Sequence, residues 1–405
     1  MIKVKQKNNL DRSFESSDFI EIIQKASKKV MNPFDNSVLE LLDLISKKIF
    51  RSKQSKNFPA STALAFWLRK SSIHELKKSF TGRQQSNTLL AARGMCLHLP
   101  PSNVDTIFVY SWAVSILCGN ATVCRIPDNQ SEEINFLLEI ILNSCIDLNL
   151  NENFIFCNYP YGNSIEKEIG SFVDVRVIWG GDEKVKTVSS IPIKPAGISI
   201  GFPNRNSYSL LNLENFKKLK SESKQELALN LFNDVYWFDQ LGCGSPKLLF
   251  LLNSDEKDIH LLGEELQKII SKKNYKNHLS GFVEKFVFAN HGISEGSIGT
   301  TSLVSNELFM SEAKKPSEII NNFSGGGYMS YLRIEDSTEI GSFLDDTTQT
   351  ITHYGFNYEE IKQLATNLKN TGGLRFVPLG EALKFDVIWD GLNLFDYMTK
   401  TITFR

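Results

Sequence analysis

Cysteine is scarce in this chain: six residues in 405, namely Cys96, Cys118, Cys124, Cys145, Cys157 and Cys243. No two form a C-x-x-C pair, and Cys118 and Cys124 flank GNATV without a neighbouring His or Asp, so no metal site is expected. Long apolar runs are missing too, and none approaches the roughly 20 residues of a membrane span. Charge of one sign is also missing. The 45 basic and 46 acidic residues leave a formal net charge of -1, which excludes the global basic field that would attract nucleic acid or an anionic membrane. The lysines around Lys53 and Lys56 read as a solvated face. The opening stretch, MIKVKQKNNLDRSFESSDF, lacks the apolar core of a signal peptide. Together these absences predict a soluble chain in a reducing, cytoplasmic setting, where a reactive thiol stays free.

What is present is globular: 41% hydrophobic, 22% charged, with 28 Phe, enough for a large core. The length suggests two domains, or one large domain with an appendage. Asn36 to Phe50, NSVLELLDLISKKIF, has Leu and Ile at helical spacing. From Gly94 onward strands and helices alternate. GMCLHLPPSN reads as a strand closed by a prolyl turn, VYSWAVSILCGN as a helix stopped by Gly119, and ATVCRIP as a buried strand. SEEINFLLEIILNSC is a helix capped by Ser131. FIFCN, VDVRVIWGG and PAGISIGF are strands, with SIEKEIGSF and DEKVKTVSS as the helices between them. This alternation predicts a parallel sheet with helices on both faces. After Asn204 the pattern restarts: a helix over Ser223–Gln240, the turn LGCGS, then the strand KLLFLL. The last residues, YMTKTITFR, alternate like an exposed strand, which invites pairing with another chain. SGGGY, Ser324 to Tyr328, reads as a loop.

Several residues in this frame are able to carry chemistry. Cys243 sits in DQLGCGSPK between Gly242 and Gly244. Glycines allow positive φ and close approach of a ligand, and a thiolate suits acyl transfer. The competing reading is a cysteine packed in a turn. None of the six histidines forms a motif with it, so nothing favours a Cys–His hydrolase. Asn103, after the prolyl turn, either aims its amide at a developing oxyanion or caps the next helix. Arg125 and Asp128 close a strand, where they would meet a nucleotide phosphate and ribose or simply form a surface ion pair. Gly180 and Gly181 mark a strand-to-helix junction suited to a phosphate, with Asp182 as ligand or cap.

Taken in order, these stretches resemble the aldehyde dehydrogenase superfamily, and within it the acyl-CoA reductases of the LuxC type. GMCLHLPPSNVD resembles G-V-x-x-I-x-P-W-N-F-P, with Asn103 on the oxyanion asparagine. CGNATVCRIPD resembles A-G-N-x-V-V-x-K-P-x-E, with Arg125 on the cofactor lysine and Asp128 on the ribose-binding acid. VIWGGDEKV resembles F-T-G-S-x-x-V-G, and FDQLGCGSPKLLFL resembles D-Q-x-x-C-S-S-P, with Cys243 on the nucleophile. GGLRFVPLGEALKFDVIWDG, Gly372 to Gly391, resembles a reductase segment G-x-x-R-x-V-P-x-G…W-D-G. The likeness runs from about residue 90 to the C-terminus.

The resemblance implies an α/β fold. It has a Rossmann-type cofactor domain over residues 1–205, its first 85 residues the least defined, a catalytic cysteine domain over 206–390 and an oligomerisation strand over 391–405. It implies Cys243 and Asn103 as catalytic residues, and Arg125, Asp128, Gly180, Gly181 and Asp182 as contacts to NADPH, with NADH possible. It further implies an acyl-CoA or acyl-protein substrate, an acyl-transferring partner protein and a homo-oligomer. One departure matters. Oxidising relatives carry the glutamate of E-L-G-G-K about thirty residues before the cysteine, and it activates the water that hydrolyses the acyl-enzyme. The comparable stretch here, ISIGFPNRNSYSLL, has no glutamate. A reductase does not need it. An oxidising aldehyde dehydrogenase and a non-catalytic acyl-binding subunit are the two rival readings.

Overall fold

The computed structural model describes residues 2–5, 11–160, 164–277, 279–368 and 375–405. His278 and the first three residues of the late segment, Gly372 to Leu374, lie outside them. The chain forms two compact units. The first is residues 1–203 with 385–389 and 393–405, and the second is 204–384 with 390–392.

The first unit contains β1 (Ile2–Lys5), β2 (Asp11–Phe14), β3 (Thr88–Ala92), β4 (Met95–Leu99), β5 (Ala121–Arg125), β6 (Phe154–Asn158), β7 (Val175–Trp179) and β8 (Ile198–Phe202). Its main sheet runs β2-β1-β6-β5-β4-β7-β8. From β6 to β8 the pairing is parallel, and β1 and β2 add antiparallel at one edge. Every residue of β4, β5 and β7 is buried. That is why these strands read as continuous apolar runs rather than alternations. The helix Ile107–Leu117 is buried all round, as its uniformly apolar sequence requires. Ser131 caps Glu132–Asp147 by accepting the Ile134 N–H at 3.1 Å. The hairpin β1–β2 and the strand β3 are short and carried no pattern that sequence reading registers. β3 pairs antiparallel with the terminal strand Thr399–Thr403 of the same chain.

The second unit contains β9 (Asn206–Asn212), β10 (Pro246–Leu252), β11 (Ile298–Ser305), β12 (Leu308–Ala313), β13 (Tyr328–Ile334), β14 (Thr348–Tyr354) and β15 (Arg375–Pro378). They are ordered β11-β12-β13-β10-β9-β14-β15. All neighbours are parallel except β11 and β12. One face of the sheet, through Leu249 and Leu251, packs on Leu231 and Val235 of helix Ser221–Tyr236 and on Leu262 and Leu266 of helix Glu256–Lys272. The other face, through Leu248 and Phe250, packs on Ala289, Ile319 and Leu364. Helices therefore cover both faces of a largely parallel sheet, the aldehyde dehydrogenase-like α/β arrangement expected. No helix among the described residues is long and apolar enough to cross a membrane.

Candidate active site

Burial sorts the cysteines. Five are buried, and Cys243 alone is partly exposed. Burial pushes the thiols of Cys96, Cys145 and Cys157 up to about 12 and those of Cys118 and Cys124 well above their ordinary value. None of these five is a nucleophile at neutral pH.

The turn that holds Cys243 is built before the cysteine is reached. The helix expected to run to Gln240 stops at Tyr236, because Asp239 and Gln240 adopt left-handed backbone, φ 49° and 64°. The buried Gln240 amide then ties the turn down. Its nitrogen donates to the carbonyls of Pro246 (2.8 Å) and Tyr328 (3.2 Å), and its oxygen accepts the Gly327 N–H (3.1 Å). The glycines around Cys243 act differently from the sequence reading. Neither Gly242 nor Gly244 has positive φ. Gly244 is needed for space, since a Cβ there would sit 2.7 Å from the Ala382 carbonyl. Ser207 clamps the cysteine itself, donating to its carbonyl at 2.6 Å and accepting the Thr350 N–H at 3.2 Å. Cys243, Ser207 and Gln349 thus gather where β10, β9 and β14 begin, at the N-terminal edge of the sheet.

Around the sulfur, burial and then the Asp390 carboxylate push the thiol above its ordinary value, while a hydrogen bond from Gln349, the Arg375 guanidinium and the Gly244 N–H oppose them. Asp390 is not placed as a base toward solvent. Its Oδ1 takes Gln349 Nε2 at 2.6 Å and its Oδ2 takes Arg205 Nε at 3.1 Å. The groups that act most strongly on the sulfur include no histidine. Of these groups, the sequence motifs enclosed Asp390 and Arg375 without assigning them a role. Arg205 lies in the stretch ISIGFPNRNSYSLL, likewise without a role, and Gln349 was missed altogether.

Asp234, fully buried in the helix leading to the turn, accepts N–H bonds from Gly380 (2.7 Å) and Ala382 (2.9 Å) and so fixes the loop that covers Gly244. Burial raises its carboxyl to about 7, against those two donors and Arg375. A carboxyl with a raised folded pKa binds more protons folded than unfolded. Its linked stability is complete below about pH 4 and is lost as the pH rises toward 7. Asp234→Asn is expected to flatten that decline. Urea titrations at about pH 5 and about pH 8 should show a smaller loss in the variant than in the unaltered chain.

The remaining candidates lie together in the first unit, at the C-terminal ends of adjacent strands β5, β4 and β7. Asn103 is exposed in the bend after β4. It does not cap the next helix, whose N-cap is Thr106. Arg125 is 2% exposed, and its Nε donates to the Tyr159 carbonyl at 2.8 Å beneath the Tyr159 ring. One Nη reaches the exposed Asp128 at 3.1 Å, and Asn158 Nδ2 holds the other Asp128 oxygen at 2.8 Å. Gly180 ends β7 at φ 153°, where a Cβ would meet the Lys184 stem at 2.7 Å. Gly181 is the N-cap of helix Asp182–Ser189. Lys184 Nζ donates to the Pro100 carbonyl at 2.9 Å, linking that helix to the turn that carries Asn103. Burial and then Arg125 lower Lys184 to about 8, with Glu166 opposing. A helix N-terminus behind a glycine cradle at the C-terminal edge of a parallel sheet fits a dinucleotide phosphate, and Asp128 fits a ribose.

Comparison with known proteins places this geometry. The family model described as acyl-CoA reductase (LuxC) matches residues 15–277. A long-chain acyl-protein thioester reductase of Aliivibrio fischeri is 21% identical over 325 residues, 77% of this chain, which spans 64% of that relative's length. Among solved structures, aldehyde dehydrogenase 21 of Physcomitrella patens, in complex with succinate, is similar with a TM-score of 0.69 at 10% identity, covering 99% of this chain and 94% of the other. The glyceraldehyde-3-phosphate dehydrogenase GapN of Methanocaldococcus jannaschii, complexed with NADP, is similar with a TM-score of 0.64 at 13% identity, covering 99% and 97%. The fold is that of the aldehyde dehydrogenases, and the chain belongs to the acyl-CoA reductase (LuxC) family.

Proposed function

We propose that the protein reduces an acyl thioester, acyl-CoA or acyl-protein, to an aldehyde through an acyl group carried on Cys243. The Cys243 thiolate attacks the thioester carbonyl and expels the first thiol, an exchange close to balanced because one thioester replaces another. The Asn103 amide and the Cys243 N–H hold the oxyanion. The backbone N–H groups of Gly180, Gly181 and Asp182 would hold the phosphates of a nicotinamide dinucleotide, Asp128 its ribose, and Arg125 would lie beside them. The family resemblance favours NADPH, and Asp128, which would repel a 2′-phosphate, keeps NADH as the alternative. When bound, that cofactor supplies the hydride that takes the acyl group to the aldehyde level. The thioester arrives from an acyl-transferring protein in the cytoplasm.

One observation carries the choice of direction. The carboxylate whose charge reaches the sulfur, Asp390, has both oxygens committed to Gln349 and Arg205. The stretch that would carry a water-activating glutamate has none. The acyl-cysteine is therefore protected from hydrolysis and left to hydride. The test is the product formed from a panel of acyl thioesters with each reduced nicotinamide. Aldehyde supports the proposal. Acid from aldehyde and oxidised cofactor identifies the oxidising enzyme, and binding without turnover identifies an idle acyl-binding subunit.

A homo-oligomer is part of the proposal, with the ribbon of β3 and Thr399–Thr403 extending between copies. Met398 is buried, and its carbonyl accepts from Asn120 and Arg93, so a clean truncation must spare it. Removing Lys400–Arg405 is expected to lower the apparent mass by size-exclusion chromatography with the circular dichroism unchanged. An unchanged elution volume would refute this role.

A further inference from the structure

The side chain that donates to the Cys243 sulfur is Gln349, the second residue of β14 and 4% exposed. Its Nε2 lies 3.5 Å from Sγ and 2.6 Å from Asp390 Oδ1. A primary amide has two N–H hydrogens, so one is available to each acceptor. Asp390 also fixes which way the amide faces: turned over, the Gln349 oxygen would meet a carboxylate at hydrogen-bond distance. Asp390 is itself immobilised. Its side chain is 3% exposed, Arg205 Nε holds its second oxygen at 3.1 Å, and Arg205 Nη1 donates to the Asp346 carbonyl at 2.7 Å. Its backbone sits at φ 49°, a conformation a non-glycine residue keeps only where its surroundings impose it. Three buried or half-buried side chains in series end on one sulfur.

We propose that Gln349 is a catalytic residue whose amide N–H holds the Cys243 thiolate, and that Asp390, clamped by Arg205, is the positioning residue that turns the amide nitrogen toward the sulfur. This rests on the reading of Cys243 as the acyl carrier and goes beyond it by naming what makes that sulfur usable. The groups facing the sulfur make such a donor necessary. Burial and the Asp390 charge both oppose the thiolate. Arg375 favours it, as does Lys247, whose Nζ is tethered to Asn206 Oδ1 at 2.6 Å. The Gly244 N–H adds one backbone donor. Gln349 is the side chain that contacts the sulfur while being held in place independently of substrate.

The experiment is the pH dependence of Cys243 alkylation by iodoacetamide in the full chain, with no thioester or nicotinamide present and the modified site identified by peptide mapping. Gln349→Met keeps the volume and removes both N–H groups. Its profile is expected to move up by about one pH unit, with alkylation about ten-fold slower at neutral pH. Asp390→Asn keeps an oxygen for the amide and removes the negative charge, so its profile is expected to move down. The opposite signs separate this assignment from a purely structural role, which would shift neither profile in a fixed direction. A Gln349→Met profile coincident with the unaltered chain, or an Asp390→Asn profile shifted upward, would overturn the proposal. If Gln349→Met does not fold by circular dichroism, Gln349→Leu, which also removes both N–H groups, decides by the same upward shift. An unaltered chain that alkylates at Cys243 but takes no acyl group defeats the reductase reading alone, because the alkylation shifts are read without substrate.

Discussion

Cys243→Ala is expected to abolish covalent acylation and to lower aldehyde formation by on the order of 10⁴-fold or more. The size follows from the absence of a substitute. The other five cysteines are buried, and their thiols are all pushed far toward the protonated form. No neighbouring thiol can take the acyl group. The fold should survive, because the turn is held by other atoms. Ser207 Oγ binds the Cys243 carbonyl, the Ser245 N–H binds the Gly242 carbonyl, and the Gln240 amide spans Pro246, Tyr328 and Gly327. The truncation removes one sulfur of a partly exposed residue and a 3.5 Å contact from Gln349, a loss expected to stay below about 1.5 kcal/mol. Incubation with a radiolabelled acyl thioester, followed by denaturing electrophoresis, reads acylation directly. The unaltered chain should carry label that reduced nicotinamide releases as aldehyde, and the variant should carry none. Label persisting on a folded Cys243→Ala chain would remove the basis of the mechanism.

How much of this was legible in the sequence depends on the distance over which each feature is determined. The strand–helix order from Gly94 to Phe202 was readable because strands such as β4, β5 and β7 are buried along their whole length, and their apolar character is local. Cys243 was readable because its turn is a compact string of small residues. The reason for Gly244 was not, since the carbonyl it accommodates belongs to Ala382 and reaches it through tertiary packing. Gln349 was invisible for a similar reason. It lies in TTQTITHYG, where a polar residue among threonines reads as a solvent-facing strand position. Only the juxtaposition of β14 with the cysteine turn and Asp390 gives its amide a purpose. Arg125 shows the converse. Its position at a strand end was legible, but sequence does not reveal that Tyr159 covers it and that its Nε is bound to a carbonyl. Asn103 was legible because two prolines precede it at the end of a strand, and its alternative as a helix cap is removed by Thr106 standing in that place.

Asn103→Ala is expected to lower turnover by about 10²–10³-fold, the cost typical of removing one oxyanion donor. The direction is specific. An oxyanion donor acts on charge that develops only in the transition state, so kcat and kcat/KM should fall together with little change in KM. Two features make the variant clean. Asn103 is exposed in the bend after β4, so its truncation leaves no cavity. The turn that carries it is held through the backbone, with Lys184 Nζ on the Pro100 carbonyl. The alkylation profile of Cys243 should stay where it is, because an oxyanion donor acts on charge that develops only during acyl transfer. The same profile moves in opposite directions for Gln349→Met and Asp390→Asn. Together the three variants separate stabilisation of the thiolate from stabilisation of the oxyanion. A fall in turnover with a shifted alkylation profile would mean that Asn103 acts through the thiol. Undiminished turnover would remove it from the reaction and leave the Cys243 N–H as the proposed donor to the tetrahedral oxygen.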